Sequence, residues 1–202
     1  MNFIERVKNI LLSPKTEWNK IATEEQSFFS IAISYVLPLS IIGAICAFVG
    51  YGFIGYNFGF GYRLKGNMDW GYYEGISRLS APLLGFIIST FIVDALAPTF
   101  KSEKNINRSA QLVGYSITPL LVGGIFYLLP SLAKLPILCG VYGIYLMYAG
   151  IAPLKKVPED QTLAYMIVST IIYAVITGII LYILHSTLDT VFDIGWGRFP
   201  LG

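Results

Sequence analysis

The chain is poor in the groups on which soluble chemistry draws. Its 202 residues include one histidine and two cysteines, and only 13% are charged, against roughly 25% in a soluble domain. His185 alone cannot supply the three or four converging ligands of a zinc site, and it leaves no Ser–His–Asp or Cys–His constellation to assemble. Cys46 and Cys139 fall in two different apolar segments. They read as buried small hydrophobes, not as a disulfide framework or metal site. A net charge of +2 with no basic run excludes nucleic acid as a partner. No cofactor is implied. Residues 1–25 carry charges throughout and lack a hydrophobic core with a small-residue cleavage site, so no cleavable signal is expected.

What the chain has is apolar length. It is 55% hydrophobic, with a mean hydropathy of +0.65. Uncharged runs cover residues 28–62, 79–93 (continuing past Asp94 to residue 100), 109–133, 135–154 and 161–184. About 20 apolar residues cross the roughly 30 Å hydrocarbon layer, so the last four runs each predict one span. The first is too long for one span and too short for two. The expectation is a helix over 28–50 followed by a different structure over 51–62. The predicted fold is an all-α membrane protein, a bundle of five transmembrane helices at about 28–50, 79–100, 109–130, 135–153 and 162–185. Residues 1–27 would form an amphipathic region and residues 186–202 an outer interfacial tail. With the N-terminus inside, the cytoplasmic segments hold nine Lys and Arg residues and the outer segments five. That asymmetry favours N-in, C-out.

In the N-terminal region Phe3, Ile4, Val7, Ile10 and Leu11 recur at helical spacing. Ser13-Pro14 then starts a second short helix bearing Trp18 and Ile21. Two helices lying on the cytoplasmic face are expected, and a docking surface for a protein partner is the sharper alternative. Residues 51–73 are rich in glycine and aromatic rings, as in an outer loop anchored at the interface. A re-entrant loop is the alternative there, and it would need surrounding protein to satisfy its backbone. Leu188, Phe192 and Trp196 suggest a short outer helix in the tail. Asp69, Glu74, Asp189 and Asp193 read as solvated loop residues. Pro82 and Pro136 sit near predicted helix starts and Pro98, Pro130 and Pro153 near ends. Pro38 and Pro119 are interior and predict kinks, each freeing a carbonyl that must find another donor.

Asp94 is the one acidic residue inside a predicted span. A single carboxylate does not make an aspartyl protease. Its cost in lipid predicts that it faces the bundle interior or a wet cavity. At 1.5 Å per residue it lies about 22 Å along the second helix, level with Gln111, Tyr115, Tyr148 and Tyr165, with Asn107 and Arg108 close beneath. This predicts a polar layer from four helices. Asp94 either accepts hydrogen bonds that tie the helices together or binds a proton or cation. The outer half of every predicted span is apolar, which favours the first.

Gly114-Tyr-Ser-Ile-Thr-Pro119 and Tyr142-Gly-Ile-Tyr-Leu-Met-Tyr-Ala-Gly150, with Pro153 and Lys155-Lys156 after them, resemble the Yip family of five-span membrane proteins that interact with Ypt/Rab GTPases. Arg6-Val-Lys-Asn-Ile-Leu-Leu-Ser-Pro14, followed by Glu17-Trp18, is similar to the start of the short bacterial members. The resemblance implies a cytoplasmic N-terminus, five helices and a bacterial inner-membrane location. Eukaryotic relatives bind Rab-type GTPases through a long N-terminal region. Only about 27 residues precede the first span here, so Rab binding is not carried over. The expected function is a non-enzymatic scaffold or adaptor whose partners are the bilayer and a cytoplasmic protein. The alternative is a small transporter or channel using Asp94, Tyr115 and the Pro119 kink, as a homo-oligomer.

Overall fold

The computed structural model describes residues 2–59 and 62–192 of the chain. Five helices are long and apolar enough to cross a membrane: Phe28–Ile54, Met68–Phe100, Ile106–Leu128, Pro130–Lys155 and Glu159–Phe192. They form one helical bundle.

Two short helices precede the first span: α1 (Phe3–Leu12) and α2 (Pro14–Thr23). The Asn2 side chain caps α1, and Pro14 opens α2, where its missing N–H costs nothing. The first span begins with α3 (Phe28–Ile31), passes through a π-helical turn over Ala32–Val36 and continues as α4 (Leu37–Val49). The π turn stands immediately before Pro38 and widens the helix where the proline ring removes a regular bond. A second π turn, Gly50–Ile54, carries the span past residue 50. Gly55, at φ 77, then turns the chain, and strands β1 (Tyr56–Gly59) and β2 (Tyr62–Leu64) pair antiparallel. The aromatic segment is therefore in part a small hairpin, pinned by a pair of bonds between the Asn57 backbone and the Ser131 hydroxyl.

The second span differs most from expectation. Helix α5 (Met68–Leu96) starts eleven residues before residue 79, capped by the Asn67 side chain. Pro82 is consequently inside a helix. Glu74 is not a solvated loop residue but is buried and bonded to Arg78 at 2.8 Å. The far half of this span is thus not apolar. The sequence reading started the span after Arg78 because Glu74 and Arg78 stand close together, whereas an i,i+4 ion pair lets both charges enter a helix together.

The third span comprises α6 (Ile106–Ser116) and α7 (Thr118–Gly123) with a 3-10 continuation over Gly124–Leu128. The break falls at Ile117, as Pro119 requires. Pro119 has no N–H for the Tyr115 carbonyl, and the Thr118 hydroxyl donates to that carbonyl at 2.7 Å. Having spent its one proton, Thr118 accepts from the Tyr35 hydroxyl at 2.8 Å. A Thr118→Val chain is expected to lose about 1–3 kcal/mol, because two buried polar groups lose their partner. Thermal unfolding in detergent checks this, with Thr118→Ser as the variant that keeps the bonds. An unchanged midpoint in Thr118→Val would show that another donor takes over.

The last two spans are α8 (Leu135–Lys155) and α9 (Glu159–Phe192). Ser186–Phe192 continues α9 instead of forming a separate helix, and Asp193, Trp196 and Arg198 lie outside the described residues. The main core runs from Ile10, Trp18 and Ile21 through Val36, Phe86, Leu112, Tyr115, Leu146 and Ile151 to Tyr165. The two N-terminal helices belong to it.

Candidate functional site

The capped end of the bundle, where α1 and α2 sit, holds a dense set of bonded polar and charged groups. They form two clusters.

The first is centred on Asp94, near the end of α5. One carboxylate oxygen accepts from the Asn105 backbone N–H at 2.7 Å and from the Ser109 hydroxyl at 2.9 Å. The Lys155 ammonium lies 3.4 Å away. Lys155 also donates to Ser109 at 2.9 Å and to the Glu103 carbonyl at 3.2 Å. The Ser102 hydroxyl donates to the Lys155 carbonyl at 2.5 Å. Lys155 ends α8, and its side chain is only 1% exposed. Four segments therefore converge on one neutralised pair: α5, the 101–105 connection, α6 and α8. Two left-handed residues, Lys101 at φ 56 and Lys156 at φ 50, stop the adjoining helices just here. A half-buried carboxylate whose one oxygen meets three donors, one of them a cation, holds its charge at reduced cost.

The second cluster is built on Arg6. It pairs with Glu17 at 2.6 Å and with Glu24, and lies 5.4 Å over the Tyr115 ring. Burial alone would lower the guanidinium pKa. The hydrogen bond to Glu24 and the negative charges of Glu24 and Glu17 outweigh it, so the value lies above the ordinary arginine range. The Tyr115 hydroxyl donates to Gln26 at 2.5 Å. Gln111 and Arg108 both donate to the Glu24 carbonyl, at 3.0 and 3.2 Å, and Arg108 also donates to the Gln111 side-chain oxygen at 3.1 Å. These bonds cap the C-terminal end of α2 with side chains from α6. Trp18 completes the joint. It is fully buried against Gly150 of α8, where an added Cβ would come within 2.8 Å of its ring.

The seven residues expected to form one layer are thus divided. Asp94 belongs to the first cluster, and Arg108, Gln111 and Tyr115 to the second. Asn107 accepts from the Phe28 N–H at 2.9 Å and caps the first span. Tyr165 donates to the Val93 carbonyl at 2.7 Å, beside Asp94 but not to it. Tyr148 is 47% exposed on α8 and joins neither cluster. Sequence reasoning missed Arg6, Glu17, Glu24, Asn105, Ser109 and Lys155. The last carried one signal: a lysine at the end of an apolar run can fold its long stem back along the helix.

The Ser109 hydroxyl and Lys155 ammonium touch at 2.9 Å, but both are engaged with Asp94. What the clusters do is fasten non-spanning segments onto spanning ones with charge-assisted bonds. The family model for the Yip1 domain matches residues 8–184 of the chain. The inner membrane protein YohC of Escherichia coli strain K12 is 26% identical over 166 residues, covering 80% of this chain and 85% of that protein. The same protein from Escherichia coli O6:H1 strain CFT073 matches equally. No solved structure matches the chain.

Proposed function

The chain belongs to the Yip1 domain family, and we propose that within it this integral membrane protein is a non-enzymatic scaffold. It holds a rigid helical cap at the cytoplasmic face of a bacterial inner membrane, with the N-terminus cytoplasmic. The observation that carries this reading is the state of Asp94. One of its carboxylate oxygens takes Asn105, Ser109 and Lys155 together, so the one acidic residue in its half of the second span serves to fasten helices. A proton or cation carrier needs a carboxylate that alternates between loaded and empty states. Here Lys155 supplies a fixed counter-charge.

The cap is suited to presenting a surface. Ile10, Trp18 and Ile21 face the bundle, while Lys8, Lys15 and Lys20 of the same two helices stay outside the core. The connection over residues 101–105 is at the same polar end, bonded to Asp94 and Lys155. A cytoplasmic protein would meet a preformed arrangement and lose little freedom in ordering it.

Asp94→Asn separates this reading from transport. The amide keeps one acceptor oxygen but leaves Lys155 as an uncompensated buried charge, which costs about 3–5 kcal/mol when a buried pair is broken. The expected result is a lowered unfolding midpoint with proton and cation flux in liposomes equal to that of the parent. Flux in the parent that Asp94→Asn abolishes would overturn the scaffold reading.

A further inference from the structure

The two N-terminal helices reach further into the bundle than a cap resting on its end would. The Tyr142 hydroxyl donates to the Leu11 carbonyl at 3.0 Å, closing one of the carbonyls that α1 leaves open at its end. Tyr142 stands 13 residues before Lys155 on α8, about 20 Å along that helix. α1 also packs against α7, in the far half of the third span. From this tip the chain runs back towards the capped end on both sides. Arg6 pairs with Glu17 and Glu24, Trp18 stands on Gly150, and the Glu24 carbonyl is held by Arg108 and Gln111 near the start of α6. Phe3 meets the Tyr35 ring of the first span at 5.7 Å. α1 and α2 are therefore a hairpin set into the flank of the bundle, with its tip at residues 11–15.

α9 gives the level of the bilayer. Its exposed apolar side chains run from Leu163 to Ile183, before the exposed Ser186 and Thr187. That distance is about 30 Å of helix, the thickness of the hydrocarbon layer. α8 and α9 run antiparallel, and the Thr170 hydroxyl donates to the Met147 sulfur at 3.7 Å. Five residues further from the capped end on each helix lie Tyr142 and Val175. Val175 is exposed and about 18 Å from Leu163, near the middle of the layer. The hairpin tip, bonded to Tyr142, lies at that level too. Its outer face does not suit hydrocarbon. Ile4 is 70% and Leu12 71% exposed, but Lys8 stands between them on the same stripe, and Lys15, Thr16 and Asn19 are exposed on α2. Lys8 and Lys15 form no ion pair among the described residues. A lysine stem is too short to carry the charge of Lys15 from the tip to the membrane surface.

A flat bilayer against this face would bury two lysines in hydrocarbon, which is costly, whereas thinning a leaflet costs little per ångström. Water alone does not suit Ile4 and Leu12. A second copy docked symmetrically would set Lys8 and Lys15 of both chains against each other. An amphiphile matches the whole stripe, with phosphate for the lysines and acyl chains for Ile4 and Leu12. We propose that the outer face of the α1–α2 hairpin binds phospholipids of the leaflet at the capped end. It draws their phosphates inward to Lys8 and Lys15 and thins that leaflet along this flank. The scaffold keeps a presenting surface at the open end of the hairpin, where the connection over residues 101–105 lies.

Spin-label depth measurements on the full chain test this, in liposomes of phosphatidylethanolamine and phosphatidylglycerol. In a Cys46→Ala, Cys139→Ala background, a nitroxide is attached at Leu12→Cys or at Val175→Cys, two positions level with each other on different flanks. Oxygen collides with labels in hydrocarbon, and a nickel chelate with labels near water and head groups. The nickel-to-oxygen collision ratio is expected to be several-fold higher at residue 12 than at residue 175, yet below that of a label in free solution. Thr16→Cys, at the same tip, should repeat the result. Adding Lys8→Gln, Lys15→Gln should lower the ratio at residue 12 towards the value at residue 175, with an unchanged unfolding midpoint, while Lys8→Arg, Lys15→Arg should keep it. Equal ratios at 12 and 175 would mean a flat bilayer and overturn the proposal. A solution-like ratio at 12 would mean a water-filled crevice, and slow collisions with both reagents there would mean a protein cover such as a second copy. Either result overturns the lipid assignment. A ratio unmoved by the glutamine pair would overturn the role of the two lysines.

Discussion

An Arg6→Met chain is expected to lose about 3–5 kcal/mol, with the loss concentrated in α1 and α2. Arg6 is 3% exposed and Glu17 is 3% exposed, and their bond at 2.6 Å is made away from water. Removing the guanidinium leaves the Glu17 carboxylate buried beside the Tyr115 ring with no cation. A lost neutral hydrogen bond would account for only about 1 kcal/mol, so the unpaired charge dominates the effect. Glu24 behaves differently, because its side chain is partly exposed and can rehydrate. The double variant Arg6→Met, Glu17→Leu should therefore recover most of the loss, since replacing both partners of a buried pair with apolar groups is often neutral. Limited trypsin digestion at Lys8, Lys15 and Lys20 provides the local readout and thermal unfolding the global one. If single and double variants are cleaved at the same rate, stranded charge is not the cause.

The same pair shows where sequence reasoning stopped. The apolar stripe of α1 was legible from Phe3, Val7 and Ile10, but an amphipathic helix has one pattern whether it covers lipid or protein. The distinction lies in Arg6 and Glu17, which are eleven residues apart on different helices. No local periodicity reports that pairing. The five spans were legible because membrane length is a property of the sequence itself, and the break at Pro119 because proline acts locally. The close packing of α8 rests on its glycines. Gly143 and Gly150 stand two turns apart on one face, and an added Cβ at Gly143 would come within 2.6 Å of the Ser116 carbonyl oxygen. Asp94 was legible as a carboxylate turned into the bundle, yet its partners were sought among residues at the same depth inside other spans. They came instead from a connection and from two helix ends: Asn105, Ser109 and Lys155. Connections have no depth rule, so only the folded chain brings them together.

Trp18→Ala should produce a loss of similar size by another mechanism. Trp18 is fully buried, although its helix crosses no membrane. Its ring stands on Gly150 and meets the Tyr115 ring edge-on at 6.2 Å. Truncating a buried tryptophan costs about 3–5 kcal/mol, part lost transfer energy and part cavity. Gly150 leaves a flat floor beneath the ring, so the neighbouring chain has no side chain at that position to collapse into the space. The spans are held by their own packing and by lipid, so the loss falls on the docking of α2 and, through the Arg6–Glu17 pair, of α1. Hydrogen exchange over residues 3–23 is expected to rise by two or more orders of magnitude, about 1.4 kcal/mol for each tenfold step, while exchange in α5 and α6 stays close to that of the parent. A uniform rise across all five spans would mean that Trp18 supports the bundle as a whole. No rise would mean that the ion pairs alone hold the cap.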